Sequence, residues 1–151
     1  DALPIIARRH HTRFALLFLD LDRFKEINDT LGHAAGDQLL IAAAARMRQA
    51  LRASDLLARQ GGDEFMILLH DIHSMEEALG VAEKIRLATN QPFVLDGTER
   101  LVSVSIGIAL YPEHGEDIET LTRNADAAMY RTKTTGRNGA SAAPDTASPH
   151  D

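Results

Sequence analysis

The chain has 151 residues, 44% of them hydrophobic, a formal net charge of −6 and no cysteine. That length and apolar content fit one domain with its own core, and the missing cysteine excludes disulfide, zinc-thiolate and thiol-nucleophile chemistry. The negative balance argues against a protein that coats polymeric nucleic acid or anionic lipid, and apolar runs of at most seven residues fall far short of the roughly 20 that cross a bilayer.

Residues 1–13 read as the end of a helix with a basic exit, starting abruptly as an excerpt of a longer protein would. Residues 14–20, FALLFLD, form a short apolar run closed by an acid, the pattern of a central strand buried on both faces. A polar helix over 23–31 and a GHAAGD loop follow. From 37 to 51 an alanine-rich stretch carries Leu40, Ala44, Met47 and Leu51 at helical spacing. Two apolar runs flanking Gly61 and Gly62 predict a hairpin. Ser74, with Glu77 three residues later, is a capping box for a helix to about Thr89, which Pro92 stops.

Residues 92–110 supply a short strand, an Asp96-Gly97 turn and a long strand with Val102, Val104, Ile106 and Ile108 on one face. A last helix is expected from Asp117 to Thr135, ending at Gly136. Beyond Asn138 the composition falls to Ala, Ser, Pro and Thr, which predicts a disordered tail over 139–151 after a domain of 1–138. Without the extra helix and hairpin this is a β-α-β-β-α-β plan: an α/β (α+β) sandwich, helices on one face of a mainly antiparallel sheet.

In such a plan the end of the first strand, with Asp20 and Asp22, lies beside the hairpin that carries Asp63 and Glu64. Period-two geometry puts Asp20 and Asp22 on one face and Asp63 and Glu64 on opposite faces, so only one of each pair need enter a site. Converging carboxylates repel, and a hard cation between them resolves that repulsion. Such an acid pair with metal is the palm arrangement for nucleotidyl transfer. Taken singly, acids at strand ends are far more often solvated turn residues.

The blocks FLDLDRFKEINDTLGHAAGDQLL, RASDLLARQGGDEF, VSIGIALYPEHG and ADAAMYRTKTTGRN resemble, in order and spacing, the signature of GGDEF-domain diguanylate cyclases over 14–138. The resemblance implies a ferredoxin-like, palm-type cyclase fold and the condensation of two GTP into cyclic di-GMP with release of two pyrophosphates. It further implies magnesium, or alternatively manganese, bound by Asp20, the Leu21 carbonyl and Asp63, with Asp63 also the proton acceptor. Glu64 is left between a second-metal contact and structural support. Lys25 would stabilise phosphate charge in the transition state, and Gly61 and Gly62 would let the backbone approach a phosphate.

Asn28, His33 and Asp37 match the family's substrate contacts. A carboxylate can accept from guanine N1–H and N2–H together, which adenine does not offer. Lys133 and Arg137 match triphosphate contacts; by themselves they would be cations complementing a helix C-terminus. Arg52 and Asp55, in RASD, match an inhibitory site for the product. His70 and His73 read as a solvated pair.

The expected partners are GTP, cyclic di-GMP and a second copy of the chain, with no polymeric nucleic acid and no membrane segment in this stretch. The expected location is the cytoplasm, in a parent that could be anchored upstream. The family's Leu-Thr-Gly-Leu turn is not in the sequence. The rival expectation is a nonenzymatic regulatory module that binds GTP or cyclic di-GMP; intact Asp20, Lys25, Asp63 and Glu64 favour the enzyme.

Overall fold

The computed structural model describes residues 13–144. Of the helix end expected over 1–13 only Arg13, which is not helical, is described; residues 1–12 and the last residues of the expected tail, 145–151, lie outside them.

Strand β1, Phe14–Leu21, is buried along its whole length and occupies the centre of a five-stranded sheet. It is followed by helices α1, Phe24–Leu31, and α2, His33–Gln49, and by the hairpin of β2, Leu56–Gly61, and β3, Glu64–His70. Helix α3, Met75–Thr89, leads to a small separate hairpin of β4, Phe93–Leu95, and β5, Thr98–Arg100. Strand β6, Val104–Tyr111, helix α4, Ile118–Thr134, and strand β7, Gly139–Ala142, complete the order. The main sheet runs β2-β3-β1-β6-β7 and is antiparallel except where β7 joins β6.

Alternation along β1 divides the core. Ala15, Leu17, Leu19 and Leu21 face Ile27, Leu39, Ala43, Met47, Ala82 and Ile85 from α1, α2 and α3. Phe14, Leu16 and Phe18 face Leu121, Ala125 and Met129 of α4. The expectation of helices on one face is therefore corrected. A strand apolar at both parities must be covered on both sides, and α4 supplies the second cover.

Two further expectations change. Helix α2 begins at His33, so the GHAAGD loop shrinks to Gly32, whose φ of 96° ends α1. The chain past Asn138 is not all tail: Gly139–Ala142 pairs in parallel with Ser105–Ile108, because an open sheet edge supplies backbone partners that small side chains do not block. The Ser74 cap holds where the sequence places it, Oγ accepting from the Glu77 amide at 3.1 Å; Asp117, expected only as the start of the last helix, caps it too, Oδ1 accepting from the Thr120 amide at 2.7 Å.

Gly107 fixes how closely α4 approaches. A Cβ there would lie under 3.0 Å from the Ala125 carbonyl oxygen and the Met129 amide nitrogen, both backbone atoms that cannot swing away. Gly107→Ala should therefore cost about 3 kcal/mol or more, read from urea unfolding. A variant as stable as the parent would show that α4 can slide outward freely.

Candidate functional site

The C-terminal end of β1 meets the β2-β3 turn, and the ladder sets this register. Asp20 pairs with Glu64 on one side and with Ser105 on the other, and the Leu21 amide donates to the Asp63 carbonyl at 3.2 Å. Gly61, at φ 141°, and Gly62, at φ 53°, make the turn between the strands. Both glycines are exposed, and Asp63 and Glu64 half-buried.

Of the paired acids, Asp20 alone of the β1 pair is left for a ligand. Asp22 is buried and fully committed: Ser105 Oγ donates to Oδ1 at 2.6 Å, while Ser103 Oγ and the Asn138 amide donate to Oδ2 at 2.6 and 3.0 Å. It ties the end of β1 to β6 and to the turn after α4. Asp20 is equally buried, but Lys133 Nζ bonds its Oδ2 while its Oδ1 has no partner. An orphaned buried carboxylate oxygen is costly unless something else binds there.

The electrostatics agree. Burial first, then the Asp63 side chain, push the Asp20 carboxyl up from 3.8 to about 7 against the pull of Lys133. Glu64 is raised as well, by burial and then by the charges of Asp20 and Asp126. Burial draws Lys133 down, but the bond to Asp20 and the charges of Asp20, Asp63 and Asp22 outweigh it and hold the ammonium above its usual value. The carboxylates outnumber the one lysine that bonds them, which is the electrostatic condition for a divalent cation.

A hard divalent cation fits this donor set. Among the described residues no three His, Cys, Asp or Glu side chains converge on a common point. Magnesium does not need them, since it is commonly held by one or two carboxylates and completed by water and substrate phosphates. Asp20, Asp63 and the Leu21 carbonyl are the groups available to it.

Beside the acids lies a cavity of about 360 Å³, lined by Leu21, Phe24, Lys25, Asp63, Lys133 and Arg137 among others. It brings together the predicted cations from α1 and from the end of α4. Sequence reading missed one contributor. The first turn of α1 opens on this cavity, led in by Arg23 at φ 60° and with no side-chain cap; the Glu26 amide donates to the Arg23 carbonyl at 3.0 Å, and the amides before it can face an anion.

Asn28, His33 and Asp37 do not line that cavity; they sit around the α1-α2 junction, His33 and Asp37 exposed and Asn28 half-buried. Gly36 seats Asn28, because a Cβ at that position would fall on Asn28 Oδ1. The glycine before Asp37 thus lets the α1 amide side chain lie against α2.

Arg52 and Asp55 form a closed unit. The guanidinium donates to both Asp55 oxygens, at 3.2 and 3.1 Å, and to the His70 carbonyl, and the His70 amide returns a bond to Asp55 Oδ1 at 3.2 Å. Asp55 is buried while half of the Arg52 side chain is exposed. The pair pins the loop before β2 to the end of β3. His73 lies exposed, 3.7 Å from Asp71.

The sequence model described as the diguanylate cyclase GGDEF domain matches residues 3–139. Diguanylate cyclase TpbB of Pseudomonas aeruginosa is 50% identical over 132 residues, covering 87% of this chain and 30% of TpbB. The bifunctional diguanylate cyclase/cyclic di-GMP phosphodiesterase MucR of the same organism is 49% identical over 133 residues, covering 88% of this chain and 19% of MucR. The chain thus spans less than a third of either relative. The crystal structure of the TpbB GGDEF domain superposes with a TM-score of 0.91 at 47% identity, over 93% of this chain and 88% of that one. By sequence, and by a fold shared almost end to end, the chain belongs to the GGDEF diguanylate cyclase domain family.

Proposed function

We propose that this domain is a diguanylate cyclase that joins two GTP into cyclic di-GMP and releases two pyrophosphates, each 3'-oxygen attacking the other nucleotide's α-phosphorus. The observation that carries the reading is the buried, unpartnered Oδ1 of Asp20, whose neighbours Asp63 and Lys133 line a cavity together with Lys25 and Arg137. That arrangement supports the binding of a metal and a polyphosphate together. A bound divalent cation would neutralise the developing phosphate charge and lower the pKa of a coordinated oxygen.

The chain's own residues do the rest. Asp63 accepts the proton of the attacking 3'-hydroxyl. Lys25, Lys133, Arg137 and the first amides of α1 hold the triphosphate, and Gly61 and Gly62 keep the turn free of side chains. Glu64, across the ladder from Asp20, adds to the negative field that draws in the cation. Asn28 and Asp37 read the guanine edge, with His33 beside them. One domain holds one GTP, so two copies must face each other for each 3'-hydroxyl to reach its target.

The testing experiment is incubation with GTP and Mg2+ or Mn2+ over a wide protein concentration range, with nucleotides resolved by chromatography and mass. A cyclic di-GMP rate rising faster than linearly with protein supports both the enzyme and the homodimer. No product at any concentration, even with a dimerising segment fused on, would assign the domain to nonenzymatic nucleotide binding. Among the described residues no helix is long and apolar enough to cross a membrane. A cytoplasmic location for the domain, where GTP is made, belongs to the same proposal.

Product inhibition at Arg52 and Asp55 is part of this reading. The half-exposed guanidinium can stack its face on a guanine and donate from Nη1 while Asp55 holds Nε and Nη2 in place. Arg52→Ala should raise the cyclic di-GMP concentration needed for half inhibition by about tenfold or more, since a hydrogen bond from a charged group is worth roughly 1.5–3 kcal/mol. Unchanged inhibition, with initial rates also unchanged, would remove the site.

A further inference from the structure

Lys133 bonds the same carboxylate that the proposed metal needs. Its ammonium reaches Asp20 Oδ2 from the last turn of α4. Its side chain keeps 26% exposure against 7% for Asp20, so the lysine sits at the open side of the pair and can leave, while the aspartate cannot. The same side chain lines the cavity with Arg137 and Lys25, where polyphosphate oxygens would come within reach of a flexible four-carbon stem.

We propose that Lys133 and the divalent cation compete for Asp20, and that a nucleotide's phosphates settle the competition by drawing Lys133 off. The exchange rests on the reading of this cleft as a nucleotidyl-transfer site and adds the order in which it is filled. Without nucleotide, a cation approaching Asp20 meets an ammonium already bonded to one oxygen, and two like charges on one carboxylate repel. With nucleotide, Lys133 trades Asp20 for phosphate, and the freed carboxylate and the phosphate oxygens take the metal together. Metal and nucleotide then bind with positive coupling, and by linkage each strengthens the other by the same factor. The device keeps the site from holding bare metal and loads it when substrate arrives.

The test is Mn2+ binding to the whole chain, followed by electron paramagnetic resonance of free Mn2+, with and without a non-hydrolysable GTP analogue. Lys133→Met keeps the stem and removes the charge. Nucleotide-free Lys133→Met should bind Mn2+ about tenfold more tightly than the parent. Its gain in Mn2+ affinity on adding the analogue should shrink by a similar factor, within the roughly 5–150-fold span of typical couplings. Arg137→Met, which removes a cation of the same cavity that does not bond Asp20, should change nucleotide-free binding much less.

Asp20→Asn decides what failure means. Mn2+ binding that depends on Asp20 but is equal in parent and Lys133→Met would overturn the exchange and leave the site reading standing. Binding indifferent to Asp20→Asn would overturn both. A melting curve for each variant guards against misfolding, and Lys133→Gln repeats the comparison with a polar, uncharged side chain.

Discussion

Asp63→Ala is expected to abolish cyclic di-GMP formation, with kcat falling on the order of 10³-fold or more, the loss that follows removal of a group acting directly on transition-state charge. In the proposed mechanism Asp63 combines two roles: a carboxylate beside Asp20 for the metal, and a proton acceptor on the turn. Glu64 is adjacent in sequence but one strand position on, paired with Asp20 across the ladder, so it cannot step into the turn position. The fold should survive. The bond that joins this turn to β1 runs from the Leu21 amide to the Asp63 main-chain carbonyl, which alanine keeps. Losing the Asp63 charge also removes one of the influences that push Asp20 upward, a change that favours the folded chain. The measurement is a paired one, turnover by chromatography and unfolding by circular dichroism. A folded variant that retains more than about a tenth of the parent rate would take Asp63 out of the mechanism, given losses of 10²–10³ for single stabilising groups.

The local parts of this architecture were legible because short-range rules govern them. FALLFLD announced β1 by its unbroken apolar run, Ser74 and Asp117 announced two helix starts, and Gly61-Gly62 announced the hairpin. What the sequence hid depends on pairs far apart in the chain. Lys133 meets Asp20 across 113 positions, and Ser103 and Ser105 reach Asp22 across 81 and 83. No local pattern says which of two acids two residues apart will be satisfied and which left open. The face chosen by α4 was hidden for the same reason. Leu121, Ala125 and Met129 mark its buried stripe, but the side of the sheet that receives it depends on distant partners such as Phe14, Leu16 and Phe18 and on the close backbone approach at Gly107. Strand β7 was missed because Gly139–Ala142 has no strand-forming side chains; its pairing comes from the open backbone edge of β6.

Asp37→Ser is expected to collapse the preference for GTP over ATP by about 10²-fold or more in a competition assay, with the overall rate reduced less. The argument starts from what the base offers. Guanine presents N1–H and N2–H on one edge, two parallel donors that match the two oxygens of a carboxylate, whereas adenine presents an acceptor where N1–H would be. An adenine placed there leaves the carboxylate unpaired, and sites that hydrogen-bond a substrate group can reject the analogue lacking it by about 10⁴–10⁵. Asp37 is exposed on the second turn of α2, so it is solvated until a base covers it, which places the expected loss below that ceiling. Its partner is prepared: Asn28 lies against Gly36, the residue before Asp37, with no side chain between them. Serine keeps a hydroxyl that can donate or accept, so the rejection of adenine weakens while binding of the triphosphate by Lys25, Lys133 and Arg137 persists. Gly36→Ala offers an independent check through geometry, since its Cβ displaces Asn28 while leaving the Asp37 carboxylate in place. Undiminished preference for GTP in Asp37→Ser would move the guanine reader to another part of the cleft.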